Sequence, residues 1–142
     1  VTSGVEPVEE PVAEESPIVA SADVVKARQM VRALAQQARL SLVDQTKLVT
    51  AASELARNTL TYGGGGSMRM SVVTRGGRTG VKVVFRDEGP GIPDVDLALT
   101  DGWSSGKGMG LGLSGARRLA DEFDLVSEPG KGTQVTVVKW AR

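Results

Sequence analysis

A single-domain, two-layer α+β sandwich is the fold class this sequence predicts, and three observations predict it. Two amphipathic helical patterns come first, the apolar period then changes from about 3.6 to 2, and the later strands are mostly joined by short glycine turns. A doubly wound sheet would instead alternate strands with helices along the whole chain. The length of 142 residues fits one domain of roughly 100 to 200 residues, and 40% hydrophobic with 24% charged residues is an ordinary globular mix.

Residues 1–16 read as an acidic, Pro/Glu-rich tail and residues 17–142 as the folded domain. The tail holds Glu6, Glu9, Glu10, Glu14 and Glu15 and no Lys or Arg, so its weak apolar periodicity predicts disorder. Setting these five aside leaves 17 basic residues against 12 acidic ones, so the domain beneath a zero net charge is mildly basic. A short apolar run at Pro17 to Ala20 suggests an edge strand. Ser21 or Asp23 then caps a helix whose apolar positions are Val24, Val25, Ala27, Val31, Leu34, Ala35 and Ala38. A second helix starts at Ser41, with Asp44 in capping-box-like spacing, and carries Val43, Leu48, Ala51, Ala52, Leu55 and Ala56 to Leu60, where Gly63 to Gly66 stop it.

Met68, Met70 and Val72 alternate with polar residues, Gly76-Gly77 marks a hairpin, and Val81, Val83 and Phe85 alternate again, which predicts a strand pair. Residues 88 to 108 form a stretch rich in Gly, Pro, Asp and Ser, longer than an ordinary connection and so a candidate lid. A helix is expected from about Gly110 to Glu122. Strands follow near Leu125 to Ser127 and Thr133 to Trp140, around the Pro129-Gly130-Lys131-Gly132 turn.

Composition removes whole classes of chemistry. With no cysteine and no histidine, the chain has no disulfides, thiolate nucleophiles, imidazole bases or histidine-metal centres. Catalysis is left to carboxylates, Lys, Arg, hydroxyls, backbone amides and a hard cation. Aromatic residues are only 4%, which argues against a stacking platform for single-stranded nucleic acid. No run of ~18 apolar residues and no signal-like start is present, so no membrane association is expected and the expected compartment is the reducing cytoplasm.

Three places remain where chemistry can sit. Glu54 and Asn58, four residues apart on the second helix, stack about 40° apart on one face and can converge on Mg²⁺ or on the proton of an attacking hydroxyl. A solvated helix stripe has the same pattern. Asp87 shares its strand face with Val81, Val83 and Phe85, so its carboxylate points where the apolar side chains point and needs a partner. Gly89, Pro90, Gly91, Ile92 and Pro93 follow it and let something flat approach, and Thr133 shares a face with Val135 and Val137. An Asp that merely caps a turn is the other reading. Third, the run from Ser104 to Leu113 alternates glycine with other residues into a helix, and with Lys107 it can cradle an anion or serve as a plain flexible loop. It is no Walker loop, because only three residues separate Gly102 from Gly106 and Gly108 follows Lys107. Gly110, Gly112 and Gly115 follow a long loop rather than a strand, so a Rossmann turn is also disfavoured.

In chain order, ELARN at 54–58, DEGPGI at 87–92, GKGMGLGL at 106–113 and GKGT at 130–133 resemble the GHKL ATPases over about residues 18 to 140. DGWSSGKGMGLGL, ARRLADEFD and the ending near VTVVKW are most similar to the RsbT-type serine/threonine switch kinases of bacterial stress signalling. The resemblance implies the Bergerat sandwich, a mixed, mostly antiparallel sheet with helices on one face and ATP between them. It implies Glu54 as catalytic base, Asn58 as Mg²⁺ ligand, and Asp87, assisted by Thr133, as acceptor of the adenine amino group. Gly89, Gly91 and Ile92 would belong to the adenine loop, and Gly106, Lys107, Gly108, Met109, Gly110, Leu111 and Gly112 to the phosphate-binding lid. The implied substrate is a Ser or Thr of a STAS-domain antagonist such as RsbS, and the implied second partner is a phosphatase activator such as RsbU. An RsbW-type anti-sigma kinase, which would hold a sigma factor, and a nucleotide-responsive binding module without transferase activity are the alternatives.

Overall fold

The computed structural model describes residues 9–99 and 112–142. In chain order they form β1 (Glu9–Ile18), α1 (Ser21–Gln37), α2 (Leu42–Thr61), β2 (Gly66–Arg75), β3 (Arg78–Asp87), the single turn α3 (Val95–Ala98), α4 (Leu113–Leu119), β4 (Glu122–Glu128) and β5 (Gly132–Trp140). The five strands lie in the order β1-β2-β3-β5-β4, and every neighbouring pair is antiparallel. No parallel pair occurs among the described residues, because β5 folds back on β4 and inserts beside β3, running against both.

The strand register builds the core face. Met68, Met70 and Val72 lie opposite Phe85, Val83 and Val81, while Val83 and Phe85 also lie opposite Val137 and Val135 of β5. All are buried, and α1 (Val24, Ala27, Val31, Leu34) and α2 (Leu48, Ala51, Ala52, Leu55) cover them. A fully buried Leu or Val contributes about 1.5 to 3 kcal/mol, so this face is the main source of stability. On the opposite face Val73, Val138 and Trp140 form a smaller cluster. The Trp140 ring lies over Gly80, where a Cβ would come within 2.7 Å of it, and the guanidinium of Arg75 stands 5.0 Å from the ring centre.

Both long helices start close to where the sequence places them. The Ser41 hydroxyl accepts from the Asp44 N–H at 3.1 Å, as an N-cap should. At α1 the cap residue is Ala20, not Ser21 or Asp23. The Asp23 carboxylate instead reaches back to the Val19 and Ala20 N–H groups at 2.9 and 3.0 Å. Gly76 and Gly77 take positive φ of 58° and 79°, the left-handed pair that a two-residue hairpin turn requires.

Four further sequence expectations need correction. Residues 9–16, expected in a disordered tail, belong to β1, because the β2 edge offers a free backbone ladder and buries Ser16 and Ile18 against the helices. Pro11 and Pro17 are tolerated since β1 is itself an edge strand. Residues 1–8 lie outside the described residues. Val25 and Val43, counted as apolar helix positions, are exposed. The expected helix to Glu122 stops at Leu119, and β4 begins at Glu122, ahead of the predicted Leu125. The cause is Asp121, whose carboxylate accepts from the Trp140 N–H at 2.8 Å and so draws the chain onto β5. No described helix is long and apolar enough to cross a membrane.

Candidate functional site

The second half of α2 and the ends of β3 and β5 enclose one narrow cleft. Leu55, Phe85, Ile92, Leu113 and Val135 give it apolar walls, and Asn58, Thr59, Tyr62, Asp87 and Thr133 supply its polar groups. Asp87, the last residue of β3, lies directly opposite Thr133 of β5, as the two-residue period predicts. Its Oδ1 accepts from the Gly89 N–H at 2.9 Å. Burial holds the carboxyl above its ordinary range, and the Gly89 and Thr133 N–H groups offset only part of that effect. A carboxylate on an apolar floor is a strong, selective acceptor for an N–H donor brought by a ligand.

Bare backbone surrounds this carboxylate. A Cβ on Gly63 would lie 2.3 Å from the Asp87 Cγ, one on Gly89 would lie 2.6 Å from the Gly63 carbonyl oxygen, and one on Gly132 would lie 2.1 Å from the Asp87 carbonyl oxygen. Gly91, at φ +75°, would press a Cβ against the Glu128 carbonyl at 2.2 Å. The two glycines of the 88–92 loop are therefore required by close packing of the chain on itself. Ile92 donates its N–H to the Ser127 hydroxyl at 2.7 Å, and that hydroxyl pairs with the Thr133 hydroxyl at 2.8 Å. The Tyr62 hydroxyl donates to the Gly91 carbonyl at 3.2 Å and ties the end of α2 to the same loop. The cavity measures about 20 Å³, so a ring-sized ligand requires the α2 and loop walls to part.

Glu54 stands at the rim of the cleft. Its Oε1 receives Arg57 Nη1 at 3.1 Å, and its Oε2 lies 2.7 Å from where a Cβ on Gly112 would be. Gly112 holds φ +66° as the N-cap residue of α4, so the end of the glycine run meets the helix that carries Glu54 and Asn58. Gly106, Lys107, Gly108, Met109, Gly110 and Leu111 lie outside the described residues. Among the described residues no group of three or more Asp or Glu side chains converges as a metal cage. The Asn58 carboxamide is an oxygen donor suited to Mg²⁺, an ion that commonly takes few protein ligands and fills its shell with phosphates and water.

The structure thus brings Asn58, Asp87, Ile92 and Thr133 into one cleft, frames it with Gly89 and Gly91, and sets Glu54 against Gly112 at its edge. Tyr62, Gly63 and Ser127 were not foreseen. Ser127 had a readable signal, a hydroxyl on the same strand face as Leu125 and Phe123, whereas the contact of Gly63 with Asp87 exists only in three dimensions.

Residues 43–141 match the family model of the histidine kinase-, DNA gyrase B- and HSP90-like ATPases. Over 120 residues the chain is 44% identical to the serine/threonine-protein kinase RsbT of Bacillus subtilis (strain 168), covering 84% of this chain and 90% of that protein. It is 28% identical over 120 residues to the anti-sigma F factor of Thermoanaerobacter sp. (strain X514), covering 80% of this chain and 82% of that protein. A solved structure of the RsbU and RsbW domains of a Mycobacterium tuberculosis protein shares the fold, with a TM-score of 0.61 at 18% identity. That likeness covers 94% of this chain and 31% of the other.

Proposed function

This chain belongs to the histidine kinase-, DNA gyrase B- and HSP90-like ATPase family and is a serine/threonine protein kinase of the partner-switch type, and from that premise we propose its substrates and the work of its residues. ATP is the phosphoryl donor, a Ser or Thr of a STAS-domain antagonist is the acceptor, and release of that antagonist frees the kinase to activate a phosphatase, all in the cytoplasm. The half-buried Asp87 carboxylate on the apolar floor between α2 and the sheet carries the reading. It suits the adenine amino group and would face the carbonyl oxygen of guanine.

Asp87 and Thr133 orient the base while Leu55, Phe85, Ile92 and Val135 exclude water from it. The phosphates would extend toward Asn58, and the glycine run with Lys107 would offer them backbone amides and a cation. Asn58 would hold Mg²⁺, which when bound neutralises charge between phosphate oxygens. Glu54 at the rim orients the acceptor hydroxyl and takes its proton as the hydroxyl oxygen attacks the γ-phosphorus.

Paired substitutions test the division of labour. Glu54→Ala is expected to keep ATP affinity within a few-fold while phosphotransfer falls by about 10² to 10⁴, and Asn58→Ala to remove the Mg²⁺ dependence of ATP binding. A Glu54→Ala protein that phosphorylates its partner normally would return Glu54 to a solvated helix stripe. The 28% identity to anti-sigma F factors supports a second reading, an anti-sigma kinase, which binding of a sigma factor would establish.

A further inference from the structure

We propose that Arg57 is the positioning residue of the phosphotransfer base, an inference that rests on reading Glu54 as that base. Arg57 and Glu54 are three residues apart on α2 and share a helix face. Their side chains pair at 3.1 Å while remaining 52% and 42% exposed, so the pair contributes little to folding. The pairing does, however, divide the two carboxylate oxygens. Oε1 is held by the guanidinium, and Oε2 lies over the bare Cα of Gly112, 2.7 Å from where a side chain would start.

An exposed glutamate without such a contact moves among several rotamers, whereas a general base must sit about 2.6 to 3.2 Å from the hydroxyl it serves. Arg57 removes that freedom with a planar, pre-organised donor. Oε2 is thereby the oxygen presented at the rim. It takes the proton of the Ser or Thr hydroxyl as that oxygen's electron pair bonds to the γ-phosphorus. The bond to the bridging oxygen breaks in the same step, and ADP leaves with that electron pair. Arg57 touches none of the reacting atoms and acts through Glu54.

The test measures phosphorylation of the cognate STAS-domain protein from radiolabelled ATP, by wild type, Arg57→Ala, Arg57→Lys, Glu54→Gln and the Glu54→Gln/Arg57→Ala double variant. Circular dichroism confirms that each is folded. Arg57→Ala is expected to lower kcat by about 10- to 10²-fold while KM for ATP stays within about twofold, and Arg57→Lys to recover part of the loss. In the Glu54→Gln background the loss of Arg57 should add nothing, because both changes remove one unit. An undiminished kcat for Arg57→Ala beside an inactive Glu54→Gln overturns the positioning role alone. An equal further loss in the double variant also overturns it, since Arg57 would then act on the nucleotide. A fully active Glu54→Gln removes the base and this inference together.

Discussion

Asp87 sets the chemistry of the cleft and yields the most direct residue-scale predictions. Losing a hydrogen bond to a charged group costs about 1.5 to 3 kcal/mol, so Asp87→Asn is expected to weaken ATP roughly 10- to 150-fold and to erase the preference over GTP. Calorimetry with both nucleotides measures this, and equal affinity of the wild type for the two would remove Asp87 from the adenine site. Its raised pKa has two further consequences of opposite sign. Protonation destroys the acceptor, so ATP affinity should fall as pH drops through the raised value, at a higher pH than an ordinary carboxylate would show. The nucleotide-free fold binds more protons than the unfolded chain between the ordinary and raised values, so this group's contribution to stability declines as pH rises through that window. Asp87→Asn should therefore stabilise the nucleotide-free protein at neutral pH, which melting temperatures would show. Asp87 was legible because a two-residue period put it among Val81, Val83 and Phe85. Ser127 follows from the same logic, but Tyr62 and Gly63 lie past a helix end, where no period assigns a face.

Elements were legible wherever one period ran uninterrupted, as in α2 and the β2–β3 hairpin. They were misread where two periods overlap or where composition misleads. Leu119, Ala120 and Phe123 continue a helical spacing, yet Phe123 and Leu125 also begin a strand alternation, and the tertiary bond from Trp140 N–H to Asp121 decides for the strand. Acidic residues around β1 imitate disorder, although an edge strand needs only one pairing side. Lys139 was also missed, since it lies on the buried face of β5 among valines. It pairs with Asp44 of α2 at 3.6 Å and Asp121 at 3.3 Å while only 5% exposed. Lys139→Met leaves Asp44 and Asp121 with the half-exposed Arg142 as their remaining cation and should destabilise the fold by about 1 to 3 kcal/mol in urea melts. ATP affinity of the folded fraction should hold, because Lys139 is six residues along β5 from Thr133, about 20 Å away. Burial alone would raise Asp121, but the Trp140 N–H, Lys139 and Arg142 outweigh it and hold the group below its ordinary range. The stability it contributes is present above the unfolded value and is lost as pH falls through the lowered one, so Asp121→Asn should flatten the acid limb of the stability curve.

At the scale of the molecule, the proposed function is an exchange of partners governed by one phosphoryl group. A phosphoserine carries about −1.5 to −2 charge, and after transfer it would lie beside the Glu54 carboxylate in a site arranged for a neutral hydroxyl. Repulsion and desolvation should therefore release the product and expose the surface to the second partner. Gel filtration of the complex before and after ATP, with a Ser→Asp version of the target site, follows this release. Co-elution of the phosphorylated partner as tightly as the unmodified one would end the switch while leaving the kinase intact. The kinase itself is tested most directly by incubating the STAS-domain partner with ATP, Mg²⁺ and either the wild-type chain or Glu54→Ala, then locating added phosphate by mass spectrometry. One phosphoryl group on a Ser or Thr of the partner with the wild type, and about 10²-fold or more slower labelling with the variant, is the predicted result; no labelling by the wild type, or equal labelling by both, would contradict it.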